Sequence, residues 1–390
     1  MRKNVKEEIK GWEMVTAIHP GEFLVEVLDE FSITQKDLAQ RIGMSEKAVN
    51  EIVKGKNPIT RKTASHLSNV FPFSETYWTN LQSQYEEDIL KLQKESELKE
   101  EAKVYLCDPD LTETYKELSR FGLVDKLRNT ASNAGDIILN LRQFFGVSSL
   151  KNVEGCHTSQ IAFRKHKGRS FNRYTTVAWL QLGMKKAQKT RVGHFDKSAL
   201  KTKLEDMAQL SQEDSSVYLP KLEEMLKDCG IVLAYMPYFK NTHAQGAATW
   251  VSPDKALIMI TTTRKSEDRF WFNVFHEIGH ILKHGKKECY VDLEEEGVSR
   301  RNERVEREAD LFAEKYLIPD FARVRRSIME SEDVKQAILN ISKKIKRSPA
   351  VIAGRIAHEC KKEGGNIYGH SIISVFFKNK IDYNNVLNTS

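Results

Sequence analysis

The spacing of apolar positions changes character twice along the chain. Between Ile33 and Thr60, apolar residues recur at helical intervals: Leu38 and Ile42, then Ala48, Val49, Ile52 and Val53. Thr34 stands where an N-cap belongs, Gly43 interrupts the period as a tight turn requires, and Ser45 restarts it. The pattern predicts two short helices joined by a glycine turn, with Glu46, Lys47, Asn50 and Lys54 facing outward. From Tyr85 to Val104 the chain is a charged helical pattern, EEDILKLQKESELKEEAKV, which reads as a solvated linker helix ended by CDPDL. Residues 110–230 keep a period near 3.6, as in DIILNLRQFFGV and LPKLEEMLKDCG. After Gly230 the texture turns β-branched and aromatic, so IVLAYMPYF and ALIMITTT predict strands, and helical patterns then return. The expected architecture is α+β. An all-helical domain spans 12–86, a helical linker 87–140, a mixed domain with a small sheet 141–360 and a tail 361–390. No solenoid-type repeat is visible.

Composition narrows the class. With 390 residues, 40% hydrophobic and 29% charged, the chain is long enough for two or three soluble globular domains. It has no uncharged apolar run of about 18 residues, so no membrane span is expected. MRKNVKEEIKGWEMV carries charge but no apolar stretch, unlike a secretory signal. The five cysteines contain no CxxC pair, which argues against a disulfide framework or thiolate zinc site and suits a reducing cytoplasm.

A net charge of +7 permits nucleic-acid contact without demanding it, and its distribution says more. Residues 41–66 hold six Lys or Arg (Arg41, Lys47, Lys54, Lys56, Arg61, Lys62) against Glu46 and Glu51. Residues 7–40 hold eight acids against Lys10 and Lys36. Positive charge is therefore local to the recognition segment, where DNA phosphates would need neutralising. Asn50 is suited to adenine and Lys47 to guanine. The competing account is an ordinary helical hairpin with a solvated face.

The segment 17–86 resembles the HigA-type antitoxin repressors of the XRE helix-turn-helix family. The resemblance is carried by His19-Pro20-Gly21-Glu22, the helix pair, Asn50 through Lys56, and Trp78 with Asn80-Leu81-Gln82. It implies a five-helix domain acting as a homodimer on a palindromic DNA operator. Gln35 and the run from Ser45 to Asn50 (Ser45, Glu46, Lys47, Asn50) would face DNA.

A second chemistry lies in FWFNVFHEIGHILKHG, residues 270–285. On a helix, His276 and His280 lie about 40° apart around the axis and about 6 Å apart along it, so both imidazoles can grip one ion. With Glu277 between them this is the H-E-x-x-H arrangement, two zinc ligands and a general base. The alternative, two core histidines with backbone partners, leaves Glu277 buried at a cost of several kcal/mol. The position six beyond His280 is Lys286, so the metzincin pattern is absent. Gly285 suggests that the helix ends before His284 can reach an ion, which leaves His284 supporting a ligand or facing substrate. Downstream, in RNERVEREADLFAEKYLIP, Glu306, Ala309, Asp310 and Ala313 share a helical face. Glu306 is the expected third ligand, Asp310 the acceptor for a ligand imidazole, and the two alanines allow close helix approach. Glu303 and Glu308 fall to the solvated side. The expected ion is Zn2+, with Mn2+ a possible substitute in vitro. Zinc there would activate water for attack on a peptide carbonyl, with Glu277 taking the proton.

From about Phe144 to Ile356 the chain resembles the ImmA/IrrE metallopeptidases, specifically members fused behind a HigA-like domain. The carriers are Gly246-Ala247 with Trp250, the block from Phe270-Trp271-Phe272 into His276-Glu277-Ile278-Gly279-His280, and Glu306 through Pro319. ISKKIKRSPAVIAGRIAHE resembles the small helix pair that follows the peptidase core in that family. Asp310 departs from the Asn of many members and keeps the hydrogen-bonding role. The resemblance implies a zincin fold, a zinc endopeptidase acting on a regulatory protein such as an XRE-type repressor, and an edge strand within Ala247–Ile260 that pairs with substrate. Other readings are a repressor or antitoxin whose zinc domain only senses or braces, and an antitoxin that binds a toxin partner. Tyr290, His284 and His358 are candidate oxyanion donors. AFRKHKGRSFNRY and KKAQKTR read as basic solvated loops, and Cys156 beside His157 as an idle cysteine.

Overall fold

A computed structural model describes residues 17–153, 172–262, 266–286, 290–293, 300–362, 375–377 and 381–383. It divides into two compact units. One runs to Asp108 and adds Leu127–Leu139; the other is Pro109–Lys126 with the chain from Asn140 onward.

The first unit holds α1 (Pro20–Glu30), α2 (Gln35–Ile42), α3 (Glu46–Val53), α4 (Arg61–Ser68) and α5 (Glu75–Cys107). Each begins at a side chain that accepts one of the orphan N–H groups of its first turn: His19, Thr34, Ser45, Thr60 and Ser74 in order. Gly43 ends α2 in the left-handed region at φ 68°, where only glycine sits without strain. Apolar residues spaced three and four apart then meet: Leu24, Val27, Leu38, Val49, Ile52, Leu67 and Trp78 form the core. The charged linker pattern is not a separate element. With no Gly or Pro between Ser74 and Asp108, α5 continues for 33 residues. The boundary at 86/87 therefore falls inside a helix. Pairs such as Lys99–Glu95 at 2.6 Å lie along it. Pro109 ends it by disfavouring helical backbone at Asp108 (φ −101°, ψ 105°).

The helices α6 (Pro109–Arg120), α7 (Ala134–Phe145), α8 (Arg173–Lys189), α9 (Lys197–Gln209) and α10 (Ser215–Asp228) follow. KKAQKTR is not a loop: it closes α8, where Lys185 donates to the Phe144 carbonyl at 2.6 Å. The segment 154–171, with Cys156–His157 and most of the other basic stretch, lies outside the described residues.

A mixed sheet comes next: β1 (Ile231–Met236), β2 (Ala244–Ser252), β3 (Lys255–Thr261) and later β4 (Tyr290–Leu293), in the order β1-β3-β2-β4. β1 runs parallel to β3, whereas β2 is antiparallel to both β3 and β4. Along Ala244–Ala248 the outer side of β2 is taken by β4, with Ala247 opposite Val291 and Ala248 opposite Tyr290, and β3 is interior. The expected substrate-pairing edge within Ala247–Ile260 is thereby narrowed to the end of β2 past Ala248. The sheet packs on α11 (Glu267–Lys283), and α11 packs against α12 (Arg300–Leu317). The helices α13 (Phe321–Met329), α14 (Val334–Ile345) and α15 (Pro349–Lys362) complete the described unit. Its core gathers Leu222, Leu233, Ile258, Phe270, Trp271, Phe275, Ile278 and Ile352.

One close backbone approach fixes the first unit. A β-carbon at Gly21 would collide with the Ile52 carbonyl oxygen, so α1 and α3 pack as they do because residue 21 lacks one. Gly21→Ala is expected to destabilise this unit by about 1–3 kcal/mol, the usual cost of overpacking. Hydrogen exchange in the intact protein checks it: protection should fall in α1 and α3 and stay unchanged in α11.

Candidate metal centre and nucleic-acid surface

The apolar face of α11 decides where its ionisable groups go. Phe270, Trp271, Val274, Phe275, Ile278 and Ile281 hold the helix in the core, so His276, Glu277 and His280 are buried with it. Gly279 faces α12. A β-carbon there would come within 3.2 Å of Ala309 Cα and 3.3 Å of Phe312. Ala309 and Ala313 are fully buried, and this small-residue seam brings Glu306 to the two histidines.

The three groups converge. His276 Nε2 lies 2.9 Å from His280 Nε2 and 3.2 Å from Glu306 Oε2, and His280 Nε2 lies 3.7 Å from the same oxygen. Donors around one tetrahedral zinc, at about 2.0–2.1 Å each, stand roughly 3.3 Å apart. The observed spacings bracket that value.

The outer hydrogen bonds determine which way the rings face. His276 Nδ1 is 2.9 Å from Asp310 Oδ1, and a carboxylate accepts, so Nδ1 donates. His284 Nε2 is 3.4 Å from Glu308 Oε2 and donates for the same reason. His280 Nδ1 and His284 Nδ1 share a hydrogen bond of 3.0 Å. With Nδ1 of each ring engaged outward, the two Nε2 atoms face each other and the Glu306 carboxylate. Burial, partly opposed by Glu306, pushes His280 down to about 4, which keeps it neutral at pH 7. Burial alone would raise Glu306, but its hydrogen bonds to His276 and His280 outweigh that and hold it well below the usual carboxylate range. His276, His280 and Glu306 form a group able to hold a metal ion. The donor set fits a divalent ion that takes nitrogen and oxygen ligands.

Glu277 is fully buried beside this group. A β-carbon at position 246 would strike its Oε1, so Gly246 on β2 leaves the volume the carboxylate fills. Tyr290 stacks on His280, with centroids 4.5 Å apart and an 11° interplanar angle. His358 stands apart, on α15 beside Arg355 and Glu359. Glu308, which the spacing assigns to the solvated side, instead takes Arg304 Nε at 2.8 Å and holds His284. Helical spacing alone could not show this link, because it depends on where the separate α11 ends.

On the first unit, Glu46, Lys47, Lys54 and Lys56 are exposed, and Gln35 and Asn50 half-buried. The Ser45 hydroxyl accepts the Ala48 N–H at 3.2 Å, so it caps α3 as well as facing outward. Glu51, within 3.9 Å of Lys47, also accepts from Asn57 at 2.8 Å and stiffens the turn after α3.

Known proteins resemble both units. A family model for the IrrE N-terminal-like domain matches residues 227–355, and a helix-turn-helix model matches residues 24–78. Virulence-associated protein I of Dichelobacter nodosus is 33% identical over 87 residues, which is 22% of this chain and 81% of that protein. Among solved structures, the Pseudomonas aeruginosa antitoxin HigA with the higBA promoter is 35% identical, covers 21% of this chain and 89% of its own, and gives a TM-score of 0.20. An addiction module antidote protein of a HigA family from Coxiella burnetii is 29% identical, with 22% and 94% coverage and a TM-score of 0.21. The chain thus belongs to the helix-turn-helix family through residues 24–78, and its residues 227–355 are similar to the IrrE N-terminal-like domain.

Proposed function

We propose that this protein is a transcriptional regulator whose second domain is a zinc endopeptidase that cuts a regulatory protein, such as an XRE-type repressor. One observation carries the peptidase half. The Nε2 atoms of His276 and His280 and the Glu306 carboxylate converge beside a fully buried Glu277. In this reading His276, His280 and Glu306 hold the ion, which supplies Lewis-acid polarisation of water and of the scissile carbonyl when bound. Glu277 takes the proton from the attacking water and passes it to the leaving amine. Asp310 and His284 fix the two ligand rings. In the first domain, Lys47 and Asn50 read base edges from α3, and Gln35, Ser45 and Glu46 line the same face. Lys54 and Lys56 neutralise phosphates of a palindromic operator bound by a homodimer. The domain boundaries proposed are 12–86, 87–140 and 141–360, with α5 bridging the first two.

A second reading is a repressor or antitoxin, with or without a toxin partner, in which the metal domain senses or braces without cutting. The position of β4 favours it. This strand covers the side of β2 next to Glu277, and Tyr290 covers His280.

Metal analysis should return about one zinc per chain for the parent and for Glu277→Gln, and none for His276→Ala. Asp310→Ala and His284→Ala should each weaken metal affinity 10- to 100-fold. Unchanged affinity in both would remove their supporting role. With a candidate repressor as substrate, Glu277→Gln should lower the cleavage rate by about 100- to 10,000-fold, read as fragments by mass spectrometry. Equal fragment yield from Glu277→Gln and the parent would refute the peptidase assignment, and no fragments from either would favour the sensor.

On DNA, Lys47→Ala with Asn50→Ala should abolish preference for the operator over unrelated duplex. Lys54→Ala and Lys56→Ala should weaken binding to any sequence, each lowering the salt slope by about 1. Operator preference retained in the first double variant would move recognition to another surface.

A further inference from the structure

The second unit carries a cavity that the metal chemistry does not use. It has a volume of about 280 Å³ and lies between the start of β2 and the first turns of α11. Arg269, Asn273, Gln245 and Tyr383 supply its polar lining together with Tyr238 and His243. Among the described residues that line it none is acidic, and Arg269 is the only fixed charge.

Three features distinguish it from an idle cleft. Arg269, Asn273 and Gln245 have no side-chain hydrogen bond or ion pair among the described residues, although all three face one space. The Tyr383 hydroxyl is buried and lacks a hydrogen-bond partner among the described residues, in a residue only 3% exposed. Such a group is unfavourable unless something bonds to it. The turn entering β2 holds two non-glycine residues, Asn241 and His243, at positive φ (62° and 51°), a conformation found where a site is being shaped.

Position then links the cavity to the metal centre. Arg269, Asn273 and Glu277 are spaced four apart on α11, so they follow one side of the helix. Gln245 is the neighbour of Gly246, which packs on Glu277. A guanidinium flanked by two amides and a phenol is a set of donors suited to a carboxylate, which Arg can take bidentately. We propose that this cavity binds an acidic side chain of the peptide substrate and selects for it. The proposal rests on the peptidase reading for its consequence, although not for binding itself. Eight residues of helix span about 12 Å, and an extended peptide advances about 3.3 Å per residue, so the acid lies three or four residues from the cut bond.

The test uses the full-length Glu277→Gln protein and two fluorescein-labelled octapeptide pools, one with Glu and one with Gln at a fixed position. Fluorescence polarisation should show the Glu pool binding about tenfold tighter. Arg269→Gln should erase the difference, and Arg269→Lys should keep part of it. Equal affinity of the parent for both pools overturns the proposal. Free glutarate is the control for a small dicarboxylate: Arg269-dependent glutarate binding with no preference between peptides assigns the cavity to a metabolite and likewise overturns it. The protein with Glu277 intact separates the two claims. Acid preference without cleavage leaves the subsite standing and removes the peptidase, whereas cleavage without acid preference does the reverse.

Discussion

Two imidazole Nε2 atoms and a carboxylate share one buried space between α11 and α12, and the packing of the two helices makes that convergence possible. The Nε2 atoms of His276 and His280 and the Glu306 carboxylate stand 2.9–3.7 Å apart. Holding them there requires the helices to touch almost backbone to backbone, which Gly279, Ala309 and Ala313 permit. The Nδ1 atoms of both rings turn outward, to Asp310 and His284. The apolar residues that bury α11 are at once the core of the unit and the wall that keeps water away. Site and core are therefore the same set of side chains, and a change made for packing is felt in the electrostatics.

What the sequence made legible follows from how local the signal is. His276 and His280, or Glu306 and Asp310, are four residues apart, and helix geometry turns that spacing into a shared face without further information. The caps Thr34 and Ser45 and the turn at Gly43 are equally local, and each appears where the spacing predicts. Contacts between distant elements were harder to read. Glu308 supports His284 only because the end of α11 meets that turn of α12. The strand β2, AQGAATWVS, is poor in β-branched residues and owes its conformation to β3 and β4 on either side. β4 is four residues long, too short for an alternating pattern to announce it. The cavity lined by Arg269 and Tyr383 draws on residues 138 apart in the chain, from Gln245 to Tyr383, and no motif announces it.

The two supports beneath the ligand imidazoles are chemically unequal. Asp310 is a carboxylate in direct contact with the His276 ring, whereas His280 leans on a second imidazole that reaches a carboxylate, Glu308, only at one remove. His284 ends α11 as its C-cap, with its N–H bonded to the His280 carbonyl at 3.0 Å. The same residue thus closes the helix and orients a candidate ligand. Asp310 is anchored within α12 and does not depend on where α11 stops.

On the proposed reading, joining a DNA-reading domain to a hydrolytic one changes what the second domain must achieve. A peptidase free in solution must find a scarce regulator by affinity alone. One held at an operator meets targets on the same DNA at the effective concentration set by the tether, so its own grip on substrate can be weak. Weak grip shifts the burden of discrimination to a few contacts near the cut bond. One guanidinium in a small cavity, able to separate an acid from its amide by about tenfold, is then the scale of selectivity such an arrangement needs.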